Sequence, residues 1–225
     1  MILSRCLNVL IEMKALVVVD VQNDFLPGGA LEVRHGDLII PVINEIIGKF
    51  ELVIATQDWH PNNHKSFASQ HVGKNPGDMI KLKNLDQVLW PDHCVQGTEG
   101  AEFSTDLDLS KIKKVFVKGI DSEIDSYSGF YDNGHLRSTG LGDYLREAVV
   151  EEIYIAGLAT DYCVKFTALD SVKEGFKTFV IADATKAVNL NPGDYDHALE
   201  EMQKSGVIIL NSNDGILDQH ISDHY

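Results

Sequence analysis

Cysteine is scarce in this chain of 225 residues: Cys6, Cys94 and Cys163 lie far apart and are odd in number. That spacing argues against a disulfide framework and for a reducing compartment, the cytoplasm, where a thiol is free for chemistry. Basic residues are also few, 19 Lys and Arg against 34 Asp and Glu, for a formal net charge of -15. Such a surface repels phosphate backbones and anionic lipid, so neither nucleic acid nor a membrane is expected as a partner. No apolar run reaches spanning length, and the opening MILSRCLNVLIEM is short, broken and not followed by a small-residue cleavage site. The pattern of a buried strand starts only at Ala15. Residues 1–13 are therefore read as an N-terminal extension, or as an upstream start with Met13 as the working one, and residues 14–225 as a single domain.

What is present is a core. Hydrophobic residues make up 44% of the chain, enough to fold without staples. Short runs rich in Val and Ile occur at Ala15–Asp20, Leu52–Thr56, Val115–Lys118, Ile153–Ala156, Thr178–Ala182 and Val207–Leu210. They do not alternate with polar residues, as expected of strands covered on both faces. Helix-like segments lie between several of them: Leu38–Phe50 after Asp37 as a cap, Leu141–Val150, Asp161–Glu174 ending at Gly175, and Asp194–Ser205 before Gly206. This alternation predicts an α/β fold, an open, mostly parallel six-stranded sheet with helices on both faces. The stretch from Gln57 to about Lys114 is read as a long irregular connection, of the kind that usually carries function.

The chemistry gathers at the carboxyl ends of these strands. Asp20 closes the first, Asp58 and His60 follow the second, Lys118 closes the third, and Cys163 comes soon after the fourth. With a strand order of 3-2-1-4-5-6, Asp20 and Cys163 face each other at the switch point, where doubly wound sheets bind ligands. Cys163 sits where a strand turns into a helix, a position that favours the thiolate. Lys118 adds a positive charge and Asp20 can take the proton. A lone cysteine is more often a buried packing residue, but an acid and a base at the same edge favour the nucleophile. In an extended Asp58-Trp59-His60, the first and third side chains project to one side and can share an ion. The turn Trp90-Pro91-Asp92-His93-Cys94 offers a third ligand, His93 or Cys94; His93 is preferred and Cys94 is read as packing. One carboxylate and two imidazoles suit a divalent ion, most simply Zn2+, with Fe2+ or Mn2+ as alternatives. His64 is a further ligand, a water-mediated one or a surface residue.

The blocks VVVDVQNDFLPGGAL, TQDWHPNNHKSF, LWPDHCVQGTEGAEF, VKGIDSEIDSYSGFYDNG and AGLATDYCVKFTALD resemble the nicotinamidases of the isochorismatase-like cysteine hydrolases, from about Lys14 to Leu210. The resemblance implies a three-layer α/β/α fold and a catalytic triad at Cys163, Asp20 and Lys118. It implies metal ligands at Asp58, His60 and His93. It places Phe25, Trp90 and Tyr127 around a pyridine ring, a cis peptide at Leu158–Ala159, and an oxyanion hole at the amides of Ala159 and Cys163. The implied activity is hydrolysis of nicotinamide to nicotinate and ammonia in NAD salvage, with pyrazinamide also accepted; a homo-oligomer is compatible with it. Three rival readings are weighed. A superfamily amidohydrolase acting on carbamoyl compounds would not need the DWH and WPDHC elements. An enzyme attacking with metal hydroxide would leave Cys163 structural. A non-catalytic binding protein would be expected to have lost the triad.

Overall fold

A computed structural model describes residues 13–217. Six parallel strands form the main sheet: β1 (Met13–Val19), β2 (Leu52–Asp58), β5 (Lys114–Lys118), β6 (Val150–Leu158), β7 (Lys177–Lys186) and β8 (Ile208–Leu210), in the order β5-β2-β1-β6-β7-β8. Counting only these strands, this is the 3-2-1-4-5-6 order expected from the sequence. Alternate residues of β1 feed two separate cores. Leu16 and Val18 pack with Ile39, Ile43, Tyr154 and Phe179 on one face. Ala15, Val17 and Val19 pack with Leu141, Leu145, Ala168 and Met202 on the other. Burial on both faces explains the unbroken Val/Ile runs. At the edge strand β5, by contrast, Val115 and Val117 are exposed.

Four helices cover the sheet: α1 (Ile39–Ile46), α2 (Leu141–Glu147), α3 (Lys165–Lys173) and α4 (Asp194–Lys204). Two helix starts differ from expectation. Asp37 does not cap α1; the chain enters through a 3-10 turn at Gly36–Leu38 with no side-chain cap. The segment expected as one helix from Asp161 opens with a π-helical turn, Thr160–Val164, before α3. Asp161 instead accepts the Val188 and Asn189 amides, both at 2.9 Å, tying this turn to the loop after β7.

The long connection after β2 is not wholly irregular. It contains an antiparallel hairpin, β3 (Met79–Leu82) and β4 (Leu85–Val88). Its two-residue turn, Lys83-Asn84, has φ of 46° and 68°, the left-handed pair that tight hairpins require. The usual Asn-Gly signal is missing, which is why the turn was not expected. The bridges Phe67–Trp90 and His60–Val95 then lay the following loop against the segment just past β2, bringing Trp90 and His93 beside Asp58 and His60.

Candidate active site

The site is built where β1 and β6 part. Asp20, just past β1, adopts a left-handed φ of 50° and is fully buried. Its Oδ1 accepts the Thr56 hydroxyl at 2.7 Å and its Oδ2 lies 2.8 Å from Lys118 Nζ. Close approach of β6 to β1 depends on Gly157, since a Cβ there would sit 2.0 Å from the Val19 carbonyl oxygen. The Leu158–Ala159 peptide that follows is cis. The π-helical turn then carries Cys163 back over the sheet edge.

Lys118, the last residue of β5, unites the cluster. Its buried Nζ forms an ion pair with Asp20 Oδ2 and donates to Asp58 Oδ1, to the Ser126 carbonyl at 3.0 Å and to Cys163 Sγ at 3.4 Å. Burial alone would lower the lysine pKa, but the charges of Asp20 and Asp58 hold it well above the usual value. Burial raises the Asp20 carboxyl against the opposing charge of Lys118. Burial also pushes the Cys163 thiol well up, against Lys118 and with help from Asp20 and Asp58. The helix terminus favours the thiolate, whereas burial of the assembled site favours the thiol, and Lys118 offsets part of that burial.

A second group adjoins the first through Asp58. Ligand atoms of Asp58, His60 and His93 lie within 4.8 Å of one another. The Gly119 carbonyl lies 2.9 Å from His60 Nδ1 and the Pro91 carbonyl 2.8 Å from His93 Nδ1, so the Nε2 atom of each ring is left for an ion, as in metal-binding histidines. Gly119 is required there, because a Cβ would lie 2.3 Å from the His60 ring. Burial, with His60 adding to it, pulls His93 down to about 4, which keeps its imidazole neutral and able to ligate. Asp20, Asp58 and Asp125 are buried carboxylates and Lys118 is the buried cation among them. The formal imbalance of two negative charges is what a divalent ion would cancel.

Between the two groups opens a small pocket lined by Phe25, Trp90, Tyr127 and Tyr162, with Asp58, His60 and His93 as well as Cys163 on its wall. Trp90 Nε1 donates to the Tyr127 hydroxyl at 3.2 Å, and the Trp90 and Tyr162 rings meet edge-on at 4.8 Å. Burial raises the Tyr162 hydroxyl to about 12, so it stays protonated. The structure thus brings together Asp20, Lys118, Cys163, Asp58, His60, His93, Phe25, Trp90, Tyr127 and Ala159.

Residues 14–214 match the isochorismatase domain. The chain belongs to the isochorismatase family. Within the family, a nicotinamidase of Acinetobacter baylyi is 51% identical over 193 residues, 86% of this chain and 90% of that protein. A solved nicotinamidase pyrazinamidase of Acinetobacter baumannii superposes with a TM-score of 0.87 at 51% identity, covering 89% of this chain and 97% of its own. A pyrazinamidase of Pyrococcus horikoshii, solved in complex with zinc, superposes at 0.71 and 42% identity, covering 88% and 98%.

Against the isochorismatase-family pattern two expectations need adjustment. The Leu158 side chain points into the core cluster of α1 and does not line the pocket; only its peptide bond borders the site. His64 is completely buried behind His60, ring centroids 4.4 Å apart, and so is not a surface residue. Sequence reasoning also missed several groups. Thr56 and Ser126 hold Asp20 and Lys118, Leu31, Tyr162 and Val188 line the pocket, and Asp125 lies on its wall two residues before Tyr127. Asp125 stands close behind two other acids, Asp121 and Glu123, so nothing in the sequence singles it out.

Proposed function

We propose that this chain is a nicotinamidase that hydrolyses nicotinamide to nicotinate and ammonia in the cytoplasm, feeding NAD salvage, and that it also accepts pyrazinamide. The observation that carries the reading is the Asp20–Lys118–Cys163 cluster, whose cysteine lies on the wall of an aromatic pocket that also presents three potential metal ligands. The names of its half-identical relatives support it. Asp20 takes the thiol proton as Cys163 Sγ attacks the carboxamide carbon, and Lys118 stabilises the charge that remains. The amides of Ala159 and Cys163 hold the oxyanion. Asp20 returns the proton to the departing ammonia, then draws one from the water that cleaves the nicotinoyl thioester. Phe25, Trp90 and Tyr127 enclose the ring and exclude bulk water. Asp58, His60 and His93 would hold one divalent ion, Zn2+ being the first choice, which when bound supplies a Lewis-acidic anchor for the ring nitrogen. Residues 14–225 form the working domain in this reading.

The test is ammonia release by the purified protein from three amides. Nicotinamide and pyrazinamide, which keep a nitrogen at the anchoring position, are expected to turn over. Benzamide, with carbon there, is expected to be slower by about 100-fold or more, because misorientation of the carboxamide is costly. No release from nicotinamide would overturn the assignment, and equal rates on benzamide would remove the anchoring role.

A further inference from the structure

The loop after β7, residues 187–193, meets the site at Val188, which stands on the pocket wall with Tyr162 and Cys163. Little packing holds the loop beyond that point. Asn189, Leu190, Asn191 and Pro192 are all exposed, so burial of apolar surface contributes little to fixing it. Its other bonds tie it to itself and to the start of α4. The Asn191 N–H donates to Asp194 Oδ2 at 2.8 Å, and the Tyr195 N–H donates to Asn189 Oδ1 at 3.0 Å.

One buried group reaches this loop from the site. Asp161 is 5% exposed, and its two oxygens accept from successive backbone amides, Oδ1 from Val188 and Oδ2 from Asn189, each at 2.9 Å. The left-handed φ of 54° at Asn189 is in keeping with a nest, the concave pairing of neighbouring N–H groups that binds an anion. Bonds of this kind to an ionised acceptor are about twice as strong as neutral ones. The π-helical turn that carries Asp161 has supports of its own. Its Val164 and Tyr162 amides donate to the Ala159 carbonyl at 3.0 and 3.1 Å. Thr160, wholly buried, donates to the Thr185 hydroxyl at 2.7 Å, and Val164 is wholly buried in the core of that face. The dependence therefore runs one way: sheet and core fix the turn, and the turn fixes the loop.

We propose that Asp161 is a positioning residue for substrate binding: it suspends the Val188 wall of the pocket from the turn that carries Cys163 and so sets the width between wall and nucleophile. The inference rests on the nicotinamidase reading for its choice of substrate. A wall residue packs against the bound ring alike before and during attack. Its displacement therefore weakens binding and leaves the chemical step alone.

Amide hydrogen exchange and steady-state kinetics of the full-length protein test this. In wild type, the Val188 and Asn189 amides should exchange about 100-fold more slowly than that of Leu190, although the loop is exposed. This arm needs neither substrate nor a variant. Asp161→Asn keeps the shape of the side chain but turns an NH2 group toward one of the two amides. Its KM for nicotinamide should rise about 10-fold while kcat stays within about 2-fold, and iodoacetamide should alkylate Cys163 at the wild-type rate. Val188→Ala leaves the carboxylate and its bonds in place and should raise KM similarly. The double variant should be no worse than the worse single one, since both act through the same wall. Should Asp161→Asn fail to fold, as its melting curve would show, exchange in wild type and the KM of Val188→Ala decide the matter. Fast exchange of both amides in wild type, or an unchanged KM in Val188→Ala, would overturn the proposal. So would a fall in kcat and in alkylation rate at unchanged KM in Asp161→Asn, the mark of a residue that holds the nucleophile turn. No ammonia from nicotinamide with wild type would sink the activity reading instead, while slow exchange would still uphold the Asp161 clamp.

Discussion

The two ends of the main sheet carry similar charges and put them to different uses. At the amino end, Glu152 of β6 meets Lys14 at 3.3 Å, Lys177 at 2.6 Å and the Tyr154 hydroxyl at 3.0 Å. At the carboxyl end, Lys118 meets Asp20 and Asp58. The Lys177 side chain is 56% exposed and the Lys118 side chain 0%. Water shares the first cluster, so its carboxylate behaves as an ordinary, well-paired acid: burial would raise Glu152, but bonds from Lys177 and Tyr154 and the charge of Lys14 hold it below the usual range. Water does not share the second, so burial raises both Asp20 and Cys163 against the charge of Lys118. The same pairing of acid with lysine gives an ordinary ion pair where it is wet and a perturbed cluster, the proposed catalytic one, where it is dry.

The largest expected effect breaks the dry cluster. Cys163→Ala should lower nicotinamide turnover by about 10⁴-fold or more, while metal content and melting temperature stay near wild type. Substantial residual turnover would show that the thiol is not the nucleophile. His60→Ala should cost about 100-fold in nicotinamide turnover but affect alkylation of Cys163 by a small electrophile much less; parallel losses in both would mean that the metal group supports the fold of the triad instead of orienting substrate.

The contrast in pKa predicts opposite signatures against pH. Activity needs the ionised form of Asp20, whose pKa is raised, so the acid limb of kcat/KM should lie above the ordinary aspartate value. Glu152 has a lowered pKa in the fold. Its contribution to stability is fully present above the unfolded value and is lost as pH falls through the folded one. Glu152→Gln should accordingly leave kcat/KM unchanged and cost about 1 kcal/mol or less at neutral pH, a difference that denaturation should show shrinking at low pH. A change in the acid limb of activity in this variant would contradict the separation of the two ends. The smallest effect is expected from removing residues 1–12, which lie outside the described residues: specific activity and melting temperature should both hold.

How much of this was legible in the sequence follows the same division. Strands such as β1 and β6 announce themselves because burial on both faces demands unbroken apolar runs. Asp20, just past β1, and Lys118, the last residue of β5, stand out as polar residues at strand ends, and strand order was enough to bring Asp20 and Cys163 together. The hairpin was hidden because Lys83 and Asn84 adopt left-handed conformations without a glycine to signal them. Asp125 was hidden for a different reason: it lies on a loop with no period and is fixed by a tertiary contact with Gln87. His64 was noticed, but only the fold shows that it is buried beside His60. Position at a helix start is a local property and was legible, whereas the desolvation that raises Cys163 belongs to the assembled site and was not.

The most direct test is to quench the wild-type protein in acid during turnover of nicotinamide and measure the mass of the peptide that contains Cys163. The account predicts a nicotinoyl adduct on Cys163 that disappears when substrate is exhausted and never forms in Cys163→Ala. Turnover that proceeds with no adduct on that peptide at any quench time, together with activity retained by Cys163→Ala, would contradict it.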